Sequence, residues 1–151
     1  MNKLFPEVAD NNYIGAKSAY YFFIGWTLLN TWRSIIHFLA EDGGLNSIAN
    51  IIILNGDPDP NPVVYLFGSL WGEVQVLLCL IFWIVFFRYK SLIPLMYLVS
   101  LLEWSMRLII IKPMKGLDDI YTNGFTPGSE LAPIAVLLLI IFFILSLKNS
   151  K

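Results

Sequence analysis

The chain has 151 residues, 57% hydrophobic and 14% charged, with a formal net charge of −1. A soluble domain carries roughly a quarter charged residues, so this apolar excess, gathered in long blocks, marks a membrane protein. The charge balance excludes a basic nucleic-acid surface; one cysteine (Cys79) excludes an internal disulfide, a CxxC pair and a zinc site, and one histidine (His37) excludes bis-histidine haem and the usual carboxylate–histidine di-iron centres.

Four apolar blocks follow one another along the chain. The first runs from about Ala19 to Leu39, the second from about Val63 to Phe87, the third from about Leu92 to Ile111 and the fourth from about Leu131 to Leu147. Each is close to the roughly 20 residues that a helix needs to cross ~30 Å of hydrocarbon. The runs are too long and too little alternating for barrel strands. The expected fold is an all-α membrane protein, a single domain over residues 1–151 built as a four-transmembrane-helix bundle. A polar stretch with Glu7 and Asp10 precedes the first block, and Arg33 and His37 interrupt it, so it reads as a span and not as a cleaved signal peptide.

Lysine and arginine set the orientation. Lys3, Lys17, Arg88, Lys90, Lys148 and Lys151 fall on one side of the four-span scheme, against Lys112 and Lys115 on the other. The positive-inside rule puts both termini in the cytoplasm, in a bacterial-type inner membrane, and residues 40–62 outside.

In that first outer loop the pair Gly43–Gly44 ends the first helix. The segment "LNSIANIIIL" is apolar but only ten residues long, which predicts an interfacial or re-entrant helix. The following "DPDPNP" is stiff and extended, and its prolines set Asp57 and Asp59 against a calcium loop. The second outer loop, "KPMKGLDDIYTNGFTPGS", is polar and turn-rich; Ser129 is the expected N-cap of the fourth helix, with Glu130 in its first turn. Pro94 falls in the first turn of the third helix, where proline is tolerated.

Depth is the most informative property of the ionisable residues. Arg33, His37, Glu73, Glu103 and Arg107 all lie from the midplane outward, and Glu130 opens the fourth span at the outer boundary. Trp26, Asn30, Arg33 and His37 recur at helical spacing on one face; Ser100, Glu103 and Arg107 do so on the third helix, and Ser69, Glu73 and Val76 on the second. Charges in mid-membrane cost at least ~2.5 kcal/mol each, so they turn inward and pair. One polar cluster is expected, formed by Arg33, His37, Glu73, Glu103 and Arg107 with Asn30 and Glu130 at its edge. Two arginines against three glutamates leave one negative charge, which a low-dielectric site neutralises by binding a proton. Gln75 points off the Glu73 face and receives no role, and the five tryptophans read as belt and packing residues. Gly68, Ser69 and Gly72 form a small-residue patch for close helix packing.

The layout resembles the DoxX-like group of small four-helix membrane proteins. The resemblance rests on the late arginine of "NTWRSIIHF", the short apolar stretch "LNSIANIIIL", the glycine–glutamate of "LWGEVQVLL" and the basic turn of "RYKSLIPLM". It covers most of the chain as architecture, without a glycine-rich first helix, and implies no catalytic residues. Members of the group include subunits of quinone-dependent oxidoreductases and receptor-associated membrane proteins.

The leading expectation is a non-enzymatic integral membrane protein whose outer-half pocket binds a small or amphipathic ligand, a lipid headgroup or a quinone-like molecule. Arg33 and Arg107 would supply cations, and Glu73 and His37 hydrogen bonds. The alternatives are a quinone-linked membrane enzyme or accessory subunit, and a structural or assembly subunit of a membrane complex. Membrane lipids, a homo-oligomer or a larger complex are the expected partners; no metal or cofactor is expected. A transporter fits less well, since the cytoplasmic half offers no polar path.

Overall fold

The computed structural model of the protein describes residues 3–149. Among these the fold is all-helical, with no strand beyond an isolated antiparallel bridge between Ile51 and Thr122. Helix α1 covers Lys17–Leu39 and α2 covers Asn61–Arg88. After a 3₁₀ turn, α3 (Ile93–Met106) continues through a π turn, Arg107–Ile111, into α4 (Lys112–Lys115). A short α5 (Pro127–Glu130) leads into α6 (Ala132–Leu147). The second and third apolar blocks are long and apolar enough to cross a membrane, over Asn61–Arg88 and Lys90–Lys115. At 16 residues α6 is shorter.

Helix α2 packs chiefly on α1, and α3 chiefly on α6. Near the chain termini the core is aromatic. Phe23 is fully buried between Phe82 and Tyr97, and Phe22 stacks on Phe142 with centroids 3.9 Å apart. The Tyr97 hydroxyl donates to the Ala19 carbonyl at 2.6 Å, satisfying the polar tip of a fully buried ring. Outward faces are apolar as well: Leu66, Leu70, Leu77 and Leu80 on α2, and Ile134, Leu137 and Ile141 on α6, are exposed.

The two ends of the bundle are closed differently. At one end the N-terminal segment forms a strap. Lys3 Nζ donates to the Leu147 carbonyl, Asp10 and Ser91 exchange backbone and hydroxyl bonds, and the Ala16 N–H donates to Leu145. Lys148 lies at this end, whereas Lys151 falls outside the described residues. At the other end, the loop end, the two long loops are stitched together. Beside the Ile51–Thr122 bridge, Ile52 N–H donates to Tyr121, Asn123 N–H to Asn50, and the Asn50 amide to Phe125.

Two loop expectations are corrected. The stretch "LNSIANIIIL" forms no helix: consecutive turns run over residues 41–49, followed by extended chain. Asp42 is the cause, because its carboxylate accepts the N–H groups of Gly44, Asn46 and Ser47 and so competes with a helical ladder. Asn50, with φ of 55°, then turns the chain out. Ser129 makes no cap; instead Thr126 precedes α5, and Glu130 reaches back to accept the Thr126 N–H at 2.8 Å. Helix also persists to Lys115, where the sequence predicts loop from Lys112 onward.

Candidate functional site

The polar face expected on α1 forms as read. Trp26, Asn30 and His37 are buried and Arg33 is largely covered. Each is fixed locally. The Asn30 amide donates to the Trp26 carbonyl at 2.8 Å, and the Trp26 indole N–H donates to Ser100 on α3 at 3.3 Å. His37 Nδ1 lies 2.7 Å from the Gly43 carbonyl. A carbonyl only accepts, so Nδ1 carries the proton and Nε2 is the acceptor of the neutral ring. The ring also meets Trp71 edge-on, with centroids 4.7 Å apart.

On α2 the inward face differs from the expected one. Gly68, Gly72, Gln75 and Cys79 are buried, whereas Glu73 is exposed on the far side of the helix. The glycines decide this. A Cβ on Gly72 would lie 2.4 Å from the Phe38 nitrogen and 2.5 Å from the His37 carbonyl carbon. Only glycine allows α1 and α2 to approach so closely, and with Gly72 at the contact its neighbour is turned about 100° away. Gln75, given no role from sequence, takes the place expected for Glu73. Its carbonyl oxygen lies 3.4 Å from Arg33 Nη2, and its amide nitrogen 3.4 Å from Glu103 Oε1.

On α3, Glu103 and Arg107 form the expected i, i+4 ion pair. The π turn begins at Arg107, and Pro113 supplies a reason for it. Proline has no N–H, and its ring collides with the carbonyl four residues back, so a regular α-ladder is disfavoured just before it. Instead the Lys112 N–H donates to the Arg107 carbonyl, five residues away.

Both guanidinium groups lie against both indoles. The Arg33 Cζ is 5.0 Å from the Trp71 ring centroid and 5.6 Å from Trp104; for Arg107 the distances are 4.8 and 5.3 Å. Trp71 and Trp104, read from sequence as belt and packing, are therefore cation-holding walls. The signal available was spacing: Trp104 adjoins Glu103, and Trp71 lies one turn from Gln75.

The charge count of the cluster is revised accordingly. Glu73 lies outside it, and Glu130 is exposed and occupied with Thr126. Arg33 and Arg107 thus face one carboxylate, Glu103, and the cluster carries an excess positive charge where the sequence predicts an excess negative one. Among the described residues no carboxylate pairs directly with Arg33; Gln75 stands between it and Glu103. Among the described residues the Arg33 Nη2 reaches two amide oxygens, of Asn30 and Gln75, each at 3.4 Å, and its Nε is buried with no partner.

The cations line a cleft of about 510 Å³ between α1, α3 and α6 at the loop end. Its other walls are mostly apolar, with Leu45 and Ile48 from the first loop and Ile134 and Leu138 from α6, beside the polar Asn30, His37, Thr126 and Ser129. This volume lies within the range of small-molecule sites, about 300–1,000 Å³, and the pattern of apolar walls with few polar groups is theirs too. A second cleft of about 370 Å³ adjoins it, sharing Trp71, Arg107, Gly128 and Ser129.

No family model matches the chain, and comparison with curated proteins and with solved structures finds no significant match.

Proposed function

We propose that this chain is an integral membrane protein that binds an amphipathic anion in the loop-end cleft. In this reading α1, α2, α3 with its π and α4 extension, and α6 cross the bilayer as a four-helix bundle. The termini are cytoplasmic and the loops external. Support for the membrane comes from the apolar outer faces of α2 and α6 and from the two helices long enough to span. The lysines of the strap end and the Arg88–Lys90 turn support the orientation.

One observation carries the ligand: Arg33 is a largely covered cation in an apolar-walled cleft where, among the described residues, no carboxylate pairs with it. Holding an uncompensated charge in low dielectric is costly, and an anionic head entering the cleft would remove that cost. The apolar walls suit an acyl or isoprenoid chain. A neutral quinone-like head would leave the charge uncompensated, so an acid is favoured over it.

The test is retention. Wild-type protein and Arg33→Gln are purified in a mild nonionic detergent and weighed by native mass spectrometry, with and without added dodecanoate. Wild type should hold an acidic amphiphile and Arg33→Gln should lose it, while the ligand-free melting temperatures stay close. Equal retention by both proteins, or none by either, would overturn the reading.

A further inference from the structure

The π turn does more than accommodate Pro113. Along a regular α-helix, position 112 would sit about 140° around the axis from position 107, facing away from it. With the Lys112 N–H bonded to the Arg107 carbonyl the turn is widened, which brings Lys112 back round to the side of Arg107, and both residues line the second cleft. Glu103, Arg107 and Lys112 thus form one line rising toward the loop end. Lys112 and Arg107 both line the second cleft, which meets the larger one at Trp71, Gly128 and Ser129. The two clefts form a groove bent around Arg107. Along it stand three cations, Arg33, Arg107 and Lys112, against Glu103 alone. Two of these cations therefore have no carboxylate partner in the groove among the described residues, Lys112 standing exposed at its mouth. Of the other acids at the loop end, Glu130 is exposed and bonded to the Thr126 N–H, and Asp42 accepts the N–H groups of Gly44, Asn46 and Ser47.

Resting on the binding function proposed above, we propose that the ligand head is a phosphate monoester. It sits where the two clefts meet beside Trp71, with Arg107 and Lys112 on the side of the second cleft and Arg33 on the side of the larger one, and its chain runs along the apolar walls of the larger cleft. A carboxylate brings one negative charge and two oxygens. A phosphate monoester brings nearly two charges above pH 6 and three acceptor oxygens, enough for the Arg107 fork and the Lys112 ammonium together. An arginine and a lysine at successive turns match such a head in charge and in spacing. A carboxylate would leave Lys112 without function.

Tryptophan fluorescence, dominated at this site by Trp71 and Trp104, is titrated in the full chain in nonionic detergent. The probes are dodecyl phosphate, dodecanoate and inorganic phosphate. At pH 7.5 dodecyl phosphate should bind about tenfold tighter than dodecanoate, the size of one further charge-assisted contact. At pH 5, where the phosphate is a monoanion, dodecyl phosphate itself should bind more weakly than at pH 7.5. Lys112→Gln should remove the advantage, weakening dodecyl phosphate far more than dodecanoate. Lys115→Gln, an exposed lysine of α4 outside both clefts, should alter neither. Inorganic phosphate at millimolar concentration should have no effect. Equal affinity for the two amphiphiles in wild type, or an unchanged preference in Lys112→Gln, would overturn the phosphate assignment and leave the binding function standing. Saturation by inorganic phosphate alone would assign the site to a free anion and overturn the amphiphile. No response to either amphiphile would overturn both proposals.

Discussion

Arg33 meets Gln75, not Glu73: its Nη2 lies 3.4 Å from the Gln75 amide oxygen, while Glu73 is exposed on the opposite side of the same helix. The difference of two positions along α2 fixes the electrostatics of the whole site. A glutamate facing Arg33 would neutralise it and leave a structural ion pair. A glutamine orients the guanidinium with a dipole and leaves its charge available.

The two positions should respond oppositely to loss of polarity. Gln75→Leu leaves Arg33 Nη2 with only Asn30 and strips a contact from Glu103, which should cost about 1–3 kcal/mol. Glu73→Leu removes a carboxyl that has no hydrogen-bond partner among the described residues, and on the outward face of α2, which the proposed bundle turns to lipid, it should be neutral or stabilising. Melting temperatures in detergent decide this; a larger loss for Glu73→Leu than for Gln75→Leu would mean that α2 is rotated from the orientation described.

The Glu103–Arg107 pair is about three-quarters covered, with side-chain exposures of 23% and 22%. Arg107→Ala strands the carboxylate and removes a cation from between two indoles, for an expected loss of about 2–3 kcal/mol. Replacing both residues by methionine should recover much of it, since no buried charge is then left alone. A double variant as unstable as the single would show that the cation–indole contacts outweigh the ion pair.

The helical segments were legible because uninterrupted apolar blocks of this length read as helices, and the observed helices begin and end within a few residues of the expected limits; two of them are long and apolar enough to span a membrane. The polar face of α1 was legible from the spacing of Trp26, Asn30, Arg33 and His37, all of which line the larger cleft. The rotation of α2 was misread because charge was given precedence over packing. Gly68 and Gly72 already marked the close-contact face, and continuing their spacing by three and four residues gives Gln75 and Cys79. The π turn had one signal, Pro113, which marks a break in the ladder without stating how the chain resolves it. The first loop was misread as helix because its apolar content outweighed the turn-forming Asp42 just before it.

That loop should be sensitive to pH. Burial alone would raise the Asp42 carboxyl, but the N–H groups of Ser47, Gly44 and Asn46 outweigh it and hold the group below its ordinary value. A carboxylate depressed in the folded state contributes order that is present above the unfolded value and lost as pH falls through the folded one. The amide resonances of Gly44, Asn46 and Ser47 should therefore shift together below about pH 4, the usual aspartate range. In Asp42→Asn that common transition should vanish. Independent midpoints for the three amides would argue against one shared acceptor.

The orientation can be read with single cysteines on a Cys79→Ser background, since Cys79 is buried and the described residues hold no other thiol. Cysteine at position 57, in the first long loop, should react with an impermeant maleimide added outside intact cells. Cysteine at position 90, in the turn after α2, should react only after the membrane is opened. The reverse pattern would invert the bundle and place the cationic clefts on the cytoplasmic side.

The last prediction concerns the contact that sets the α2 rotation. Gly25 and Gly72 are both helical glycines, and glycine within a helix costs about 0.5–1 kcal/mol relative to alanine through backbone entropy. At Gly25 a Cβ meets nothing within 4 Å, so Gly25→Ala should recover that amount and raise the melting temperature slightly. At Gly72 the same methyl would collide with the Phe38 nitrogen and the carbonyl carbon of His37, which are backbone atoms and cannot rotate away. Gly72→Ala must therefore push α1 from α2, for a loss of several kcal/mol typical of overpacked backbone contacts. The displacement would carry His37 from the Trp71 edge and Arg33 from Gln75, so ligand retention should fall even in the fraction that remains folded. A Gly72→Ala protein with wild-type stability and wild-type retention would mean that the helices do not meet at this glycine, and the assignment of Gln75 to the inward face would fall with it.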